Sequence, residues 1–117
     1  MPRYCFINRV RPEALEEYTA AHAAVWPEML QALRDSGWRH YRLYLSADGL
    51  LVGHFEADDY DDAQAAMART QVNARWQACM EQYFVDPGNP DEGFEVLPEI
   101  FSLEDQLTAV GLPTTPA

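Results

Sequence analysis

The chain has 117 residues, 48% of them hydrophobic and 23% charged, which is the size and composition of one globular domain. Its 8 Lys and Arg stand against 19 Asp and Glu, a formal net charge of −11, which repels phosphate backbones and anionic headgroups. Nucleic acid and membrane are therefore not expected as partners, whereas a neutral or cationic small molecule is permitted. The start lacks a long apolar segment and no later run approaches the ~18 apolar residues of a membrane span, so a cytoplasmic protein is expected. Cys5 and Cys79 lie far apart in no metal or redox spacing, and both read as small buried hydrophobes.

In chain order, Tyr4 to Val10 reads as a strand that ends before Pro12. From Pro12 to about Asp35 the periodicity predicts one helix. Leu15, Tyr18, His22, Val25, Trp26, Met29 and Leu33 share an arc of roughly 100°, with a kink expected at Pro27. His40 to Leu45 and Leu50 to Glu56 read as antiparallel strands joined by a tight Ser46-Ala47-Asp48-Gly49 turn. Asp58 to Tyr83 reads as helical with a break at Thr70-Gln71, and its acidic start, Asp58 to Asp62, suits the positive end of a helix. Asp86 to Gly93 is turn-rich, Phe94 to Leu103 is the last strand expected, and Pro98 marks an edge or a bulge in it. Beyond Glu104 there is a weak amphipathic turn around Leu107 and Val110, then a disordered end from Pro113. Residues 1–103 thus form the expected domain and 104–117 a C-terminal extension.

The order β-α-β-β-α-β is that of the ferredoxin-like split βαβ, an α+β fold with helices on one face of an antiparallel sheet. Strand one offers Tyr4, Phe6 and Val10 on one side but also Cys5 and Ile7 on the other. Strand two sets Tyr41, Leu43 and Leu45 against Tyr44. A second apolar face of this kind predicts a homodimer whose sheets cover each other.

No nucleotide, hydrolase or metalloprotease motif occurs, and His22, His40 and His54 lack companions at metal-ligand spacing. No metal or organic cofactor is expected. His40 and His54 are expected to face outward or pair locally. What remains for chemistry is a set of inward polar aromatics. Tyr18 and His22, spaced i and i+4, point from the first helix toward the sheet. His22 is then either a core histidine bonded to Tyr18 or to a backbone carbonyl, or a cavity acid/base able to move a proton at neutral pH. Trp76 and Tyr41 are ambiguous in the same way, each a core aromatic or a wall of a pocket.

The string Glu16-Glu17-Tyr18-Thr19-Ala20-Ala21-His22-Ala23-Ala24-Val25-Trp26-Pro27-Glu28 is followed by Gly37, Tyr41, Tyr44-Leu45, Arg75-Trp76 and Met80. Together they resemble the L-rhamnose mutarotase family over about Arg3 to Leu103. The resemblance implies a dimeric α/β barrel of ferredoxin-like protomers that interconverts the α and β anomers of L-rhamnose or a related 6-deoxy-L-sugar without a cofactor. It also implies His22 as proton donor, Tyr18 and Tyr41 as sugar contacts, and Trp76 as a pocket wall. Gln77 departs from it, because the family often has a second tryptophan there. Gln77 is accordingly expected at a wider, more polar rim of the sugar site. Two other readings stand beside this one: a cofactor-independent monooxygenase of the same barrel type, and a non-catalytic small-ligand-binding barrel.

Overall fold

The computed structural model describes residues 1–116. Strands β1 (Arg3–Arg9), β2 (Arg39–Leu45), β3 (Leu50–Glu56) and β4 (Glu95–Leu97) form one antiparallel sheet in the order β2-β3-β1-β4. This is the order of the split βαβ, with the first strand between the third and the fourth. Helices α1 (Leu15–Ala23), α2 (Pro27–Asp35), α3 (Tyr60–Ala68) and α4 (Gln71–Met80) supply the connections. The ferredoxin-like α+β class expected from the sequence is the fold observed.

The register determines what each face carries. Tyr4 pairs with Phe55, Phe6 with Gly53 and Asn8 with Leu51, so these residues share the helix side. Phe6 and Phe55 are completely buried there. A Cβ on Gly53 would come within 2.2 Å of the Phe6 ring, so glycine is what lets that ring lie flat across β3. Trp38 stacks on Phe55 at 4.0 Å and donates its indole N–H to the Ala63 carbonyl at 3.2 Å, tying β2 to α3. On the other side Cys5 pairs with His54 and Ile7 with Val52, and all four are half-buried.

Several boundaries differ from the sequence expectations. The predicted Pro12–Asp35 helix is three pieces: a 3₁₀ turn at Pro12–Ala14, then α1, then α2. Pro27 begins a new helix rather than kinking one, because Trp26 before it is held extended at φ −52° and ψ 132°. Thr70 separates α3 from α4 by capping the latter, its hydroxyl accepting from the Asn73 N–H at 3.2 Å. In the acidic start, Asp59 accepts from the Asp62 N–H at 2.9 Å and caps α3. The Ser46–Gly49 turn is present, with Gly49 at φ +96° and so near the Val10 carbonyl that no Cβ would fit.

The last strand is three residues long, not Phe94 to Leu103. Pro98 cannot donate to the ladder, and pairing stops at Leu97. Beyond it, α5 (Leu103–Ala109) forms where only a weak turn was expected, with Ser102 as its cap. Arg3 ties this arm to the start of β1 through Glu99 at 3.1 Å and Asp105 at 3.3 Å. The cysteine expectation is also corrected. Cys5 is half-buried on the outer sheet face and Cys79 is exposed, since α4 turns Asn73, Trp76 and Met80 inward instead. His40 is exposed at a bulge of β2, 3.5 Å from the Glu56 carboxylate. The expected disorder from Pro113 touches Ala117, which lies outside the described residues.

Candidate active site

Between the helices and the sheet lies a cavity of about 460 Å³, within the range of small-molecule sites. Tyr18, His22, Tyr41, Trp76 and Gln77 all line it. Each is brought there by a different local reason.

On α1 the i, i+4 spacing stacks the Tyr18 and His22 rings, with centroids 4.3 Å apart. His22 Nδ1 sits 2.9 Å from the Tyr18 carbonyl oxygen, to which it donates when it carries a proton. That contact leaves Nε2 as the nitrogen free to exchange protons. Burial lowers the His22 pKa below the ordinary imidazole value, and the Tyr18 carbonyl opposes this in part. Burial also raises the Tyr18 phenol above its ordinary value.

Helix α4 forms the opposite wall. Asn73, Trp76, Gln77 and Met80 follow the i, i+3, i+4, i+7 pattern, so neighbours such as Trp76 and Gln77 both reach the cavity. The Trp76 ring meets His22 edge-on, with centroids 5.3 Å apart at 86°. Trp26, in the break before α2, packs against the other part of Trp76 at 5.0 Å and 89°. Tyr41 enters from β2, held 4.9 Å from Trp38 and 6.3 Å from Phe6. Its phenol is raised by burial, reinforced by Tyr18, by the nearby Asp91 carboxylate and by Tyr60.

Three polar residues at or beside this site were not singled out from the sequence. Asn8 is buried on the helix side of β1 and donates to the Pro90 carbonyl at 3.4 Å. Asn73 is buried among the apolar residues of α4, and its Nδ2 donates to Asp91 Oδ2 at 3.0 Å. Gln77 Nε2 in turn donates to Asn73 Oδ1 at 3.1 Å. Asp91 itself lines the cavity, and burial pushes its carboxyl above the ordinary value, although the Asn73 amide counters this. An amide three residues before Trp76 was a readable signal. Asp91 in a turn-rich loop carried none. Among the described residues, no group of three His, Cys, Asp or Glu gathers at metal-binding distance.

The family model described as L-rhamnose mutarotase matches residues 3–103. The chain belongs to the L-rhamnose mutarotase family. It is 36% identical to the L-rhamnose mutarotase of Enterobacter sp. (strain 638) over 107 residues, 89% of this chain and 100% of that one. It is also 36% identical to the L-rhamnose mutarotase of Klebsiella pneumoniae (strain 342) over 91 residues, 78% of this chain and 86% of that one. Among solved structures, an L-rhamnose mutarotase from Formosa agariphila superposes with a TM-score of 0.72 at 21% identity, covering 89% of this chain and 100% of the other. A putative antibiotic biosynthesis monooxygenase from Nitrosomonas europaea superposes at 0.57 and 16% identity, covering 86% and 100%. At those identities both likenesses speak for the fold alone.

Proposed function

We propose that this chain is an aldose mutarotase that interconverts the α and β anomers of L-rhamnose, or of a related 6-deoxy-L-sugar, by general acid/base catalysis. The observation that carries the reading is the convergence, in one cavity of a chain of this family, of a half-buried imidazole whose Nδ1 is held by a backbone carbonyl, two tyrosines and a tryptophan. In this reading His22 donates a proton to the ring oxygen, Tyr18 and Tyr41 contact sugar hydroxyls, Trp76 covers the C–H face of the pyranose, and Gln77 lies at the rim. An acidic protein suits a neutral sugar. The working form is a homodimer in the cytoplasm, a setting compatible with the free thiols of Cys5 and Cys79.

Saturation-transfer NMR on equilibrated L-rhamnose tests this directly, since a mutarotase speeds anomer exchange without changing the anomer ratio. His22→Asn, which keeps a hydrogen-bonding side chain, is expected to lose about 10²–10⁴-fold in exchange rate while still binding sugar. Exchange near the wild-type rate in the folded variant would remove His22 from the chemistry. Binding without any acceleration by the wild type would favour the non-catalytic barrel instead.

A further inference from the structure

Ring opening needs two proton movements, one onto the ring oxygen and one off the anomeric hydroxyl, and His22 accounts for only one of them. The second group must line the same cavity, carry no proton at the start, and be held in place. From the geometry we propose that Asp91 is the catalytic base, taking the anomeric hydroxyl proton while His22 protonates the ring oxygen. This assignment rests on the mutarotase reading of the site.

Three contacts fix the loop that carries Asp91. The Asn89 side chain accepts from the Asp91 N–H at 2.9 Å, Asn8 donates to the Pro90 carbonyl at 3.4 Å, and Asn73 donates to the Asp91 carboxylate at 3.0 Å. A carboxylate accepts only, so the Asn73 amide must turn its NH₂ toward Asp91. Its oxygen then faces Gln77, which donates to it at 3.1 Å. Asn73 is a positioning residue and Gln77 secures its orientation. Buried and held at both ends, Asn73 directs one carboxylate oxygen and leaves the other able to accept from a ligand.

In the forward step the imidazolium Nε2–H of His22 passes its proton to the ring oxygen and the bond from C1 to that oxygen breaks. The electron pair of the C1 hydroxyl O–H forms the C1 carbonyl, and that proton moves to Asp91. The pair now holds neutral His22 and protonated Asp91. Rotation about C1–C2 presents the other carbonyl face. Closure then returns the hydroxyl proton to His22, and Asp91 gives its proton to the new anomeric oxygen. No proton is gained or lost, and nothing is oxidised.

One proton must therefore be shared by the pair, so the pH profile is bell-shaped. The charged and titratable groups around them are Tyr18 on α1, Arg34 on α2, Tyr41 on β2 and Glu92 beside Asp91. Burial displaces the two partners toward each other: the acid limb falls above the ordinary aspartate value and the alkaline limb below the ordinary imidazole value.

The experiment measures L-rhamnose exchange by saturation transfer between about pH 4 and 9 for the wild type, Asp91→Asn and His22→Asn. Sugar binding and circular dichroism are recorded on the same samples. Asp91→Asn is expected to bind sugar, lose about 10²–10⁴-fold in rate, and lose the acid limb while the alkaline limb stays. His22→Asn should lose the alkaline limb instead. Should Asp91→Asn fail to fold, ¹³C NMR of the Asp91 carboxyl in the wild type decides, because its titration must coincide with the acid limb. A folded Asp91→Asn within threefold of wild type, or a limb that does not track that carboxyl, overturns the assignment. A wild type that leaves exchange at the spontaneous rate overturns the mutarotase reading and this assignment with it. That outcome is recognisable because all three proteins are then equally inactive.

Discussion

The two faces of the sheet are built from the same four strands yet end in different states. On the helix side Phe6, Leu51 and Phe55 are at most 1% exposed, and the space left over among α1, α4 and β2 is the cavity. On the outer side the rows Arg42, His54, Cys5, Leu97 and Tyr44, Val52, Ile7, Glu95 carry apolar residues that stay half-buried or exposed. Tyr44 is 59% exposed and Leu97 39%. The arm after β4 adds Ile100 at 93% and Phe101 at 60%. One face is thus complete within the chain and the other is suited to a second copy, which is why the dimer is part of the proposed function.

Removing a ring from the finished face should have the largest effect on stability. Phe55 touches Tyr4, Phe6, Trp38, Tyr41 and Tyr60, so Phe55→Ala opens a void among five aromatic neighbours. A loss of about 3–5 kcal/mol is expected in urea unfolding. Val52→Ala on the outer face should cost about 1 kcal/mol or less at low protein concentration, where the chain is monomeric. Equal costs in dilute samples would mean that the outer face is already covered within one chain.

The next test puts a charge where the second copy should sit. Val52 lies in the outer row between Tyr44 and Ile7, and Val52→Glu would desolvate a carboxylate at the centre of a sheet-to-sheet contact. Sedimentation at micromolar concentration should show dimer for the wild type and monomer for the variant, with the far-ultraviolet spectrum unchanged. A wild type that sediments as a monomer breaks the comparison, and the outer face would then be a tolerated apolar surface.

What was legible in the sequence follows the same division. Alternation along β1 and β2 gave the two apolar sides of the sheet, and Asp48-Gly49 gave the turn, because period and turn chemistry are local. The i, i+4 pair Tyr18 and His22 was readable for the same reason. Where a residue's role depends on distant partners the reading stopped. Asn8, Asn73 and Asp91 come from β1, α4 and a loop, and nothing in their neighbours along the chain shows that they meet. Cys79 reads from its helical spacing as a small buried hydrophobe, yet it is exposed on a helix whose inward face Asn73, Trp76 and Met80 already occupy. The end of β4 was overextended because apolar residues continue past Pro98, where the ladder cannot.

The smallest effect expected is also the finest test of the helix-side face. Gln77 stands where the family resemblance implies a tryptophan, and it lines the cavity one position after Trp76. Gln77→Trp would supply a second flat apolar wall and remove the donor that orients Asn73. The first change presses a flat wall on a pyranose face where L-rhamnose and L-fucose, both 6-deoxy sugars, differ in the direction of their C2 and C4 hydroxyls, and the second loosens the hold on Asp91. The net rate on L-rhamnose should therefore move by only a few-fold, which corresponds to about 1 kcal/mol. The ratio of exchange rates between L-rhamnose and L-fucose is the sharper reading, because the loosened carboxylate slows both sugars alike whereas the new wall discriminates. That ratio should rise in favour of L-rhamnose. An unchanged ratio would place residue 77 outside contact with the sugar and leave its amide only the work of orienting Asn73.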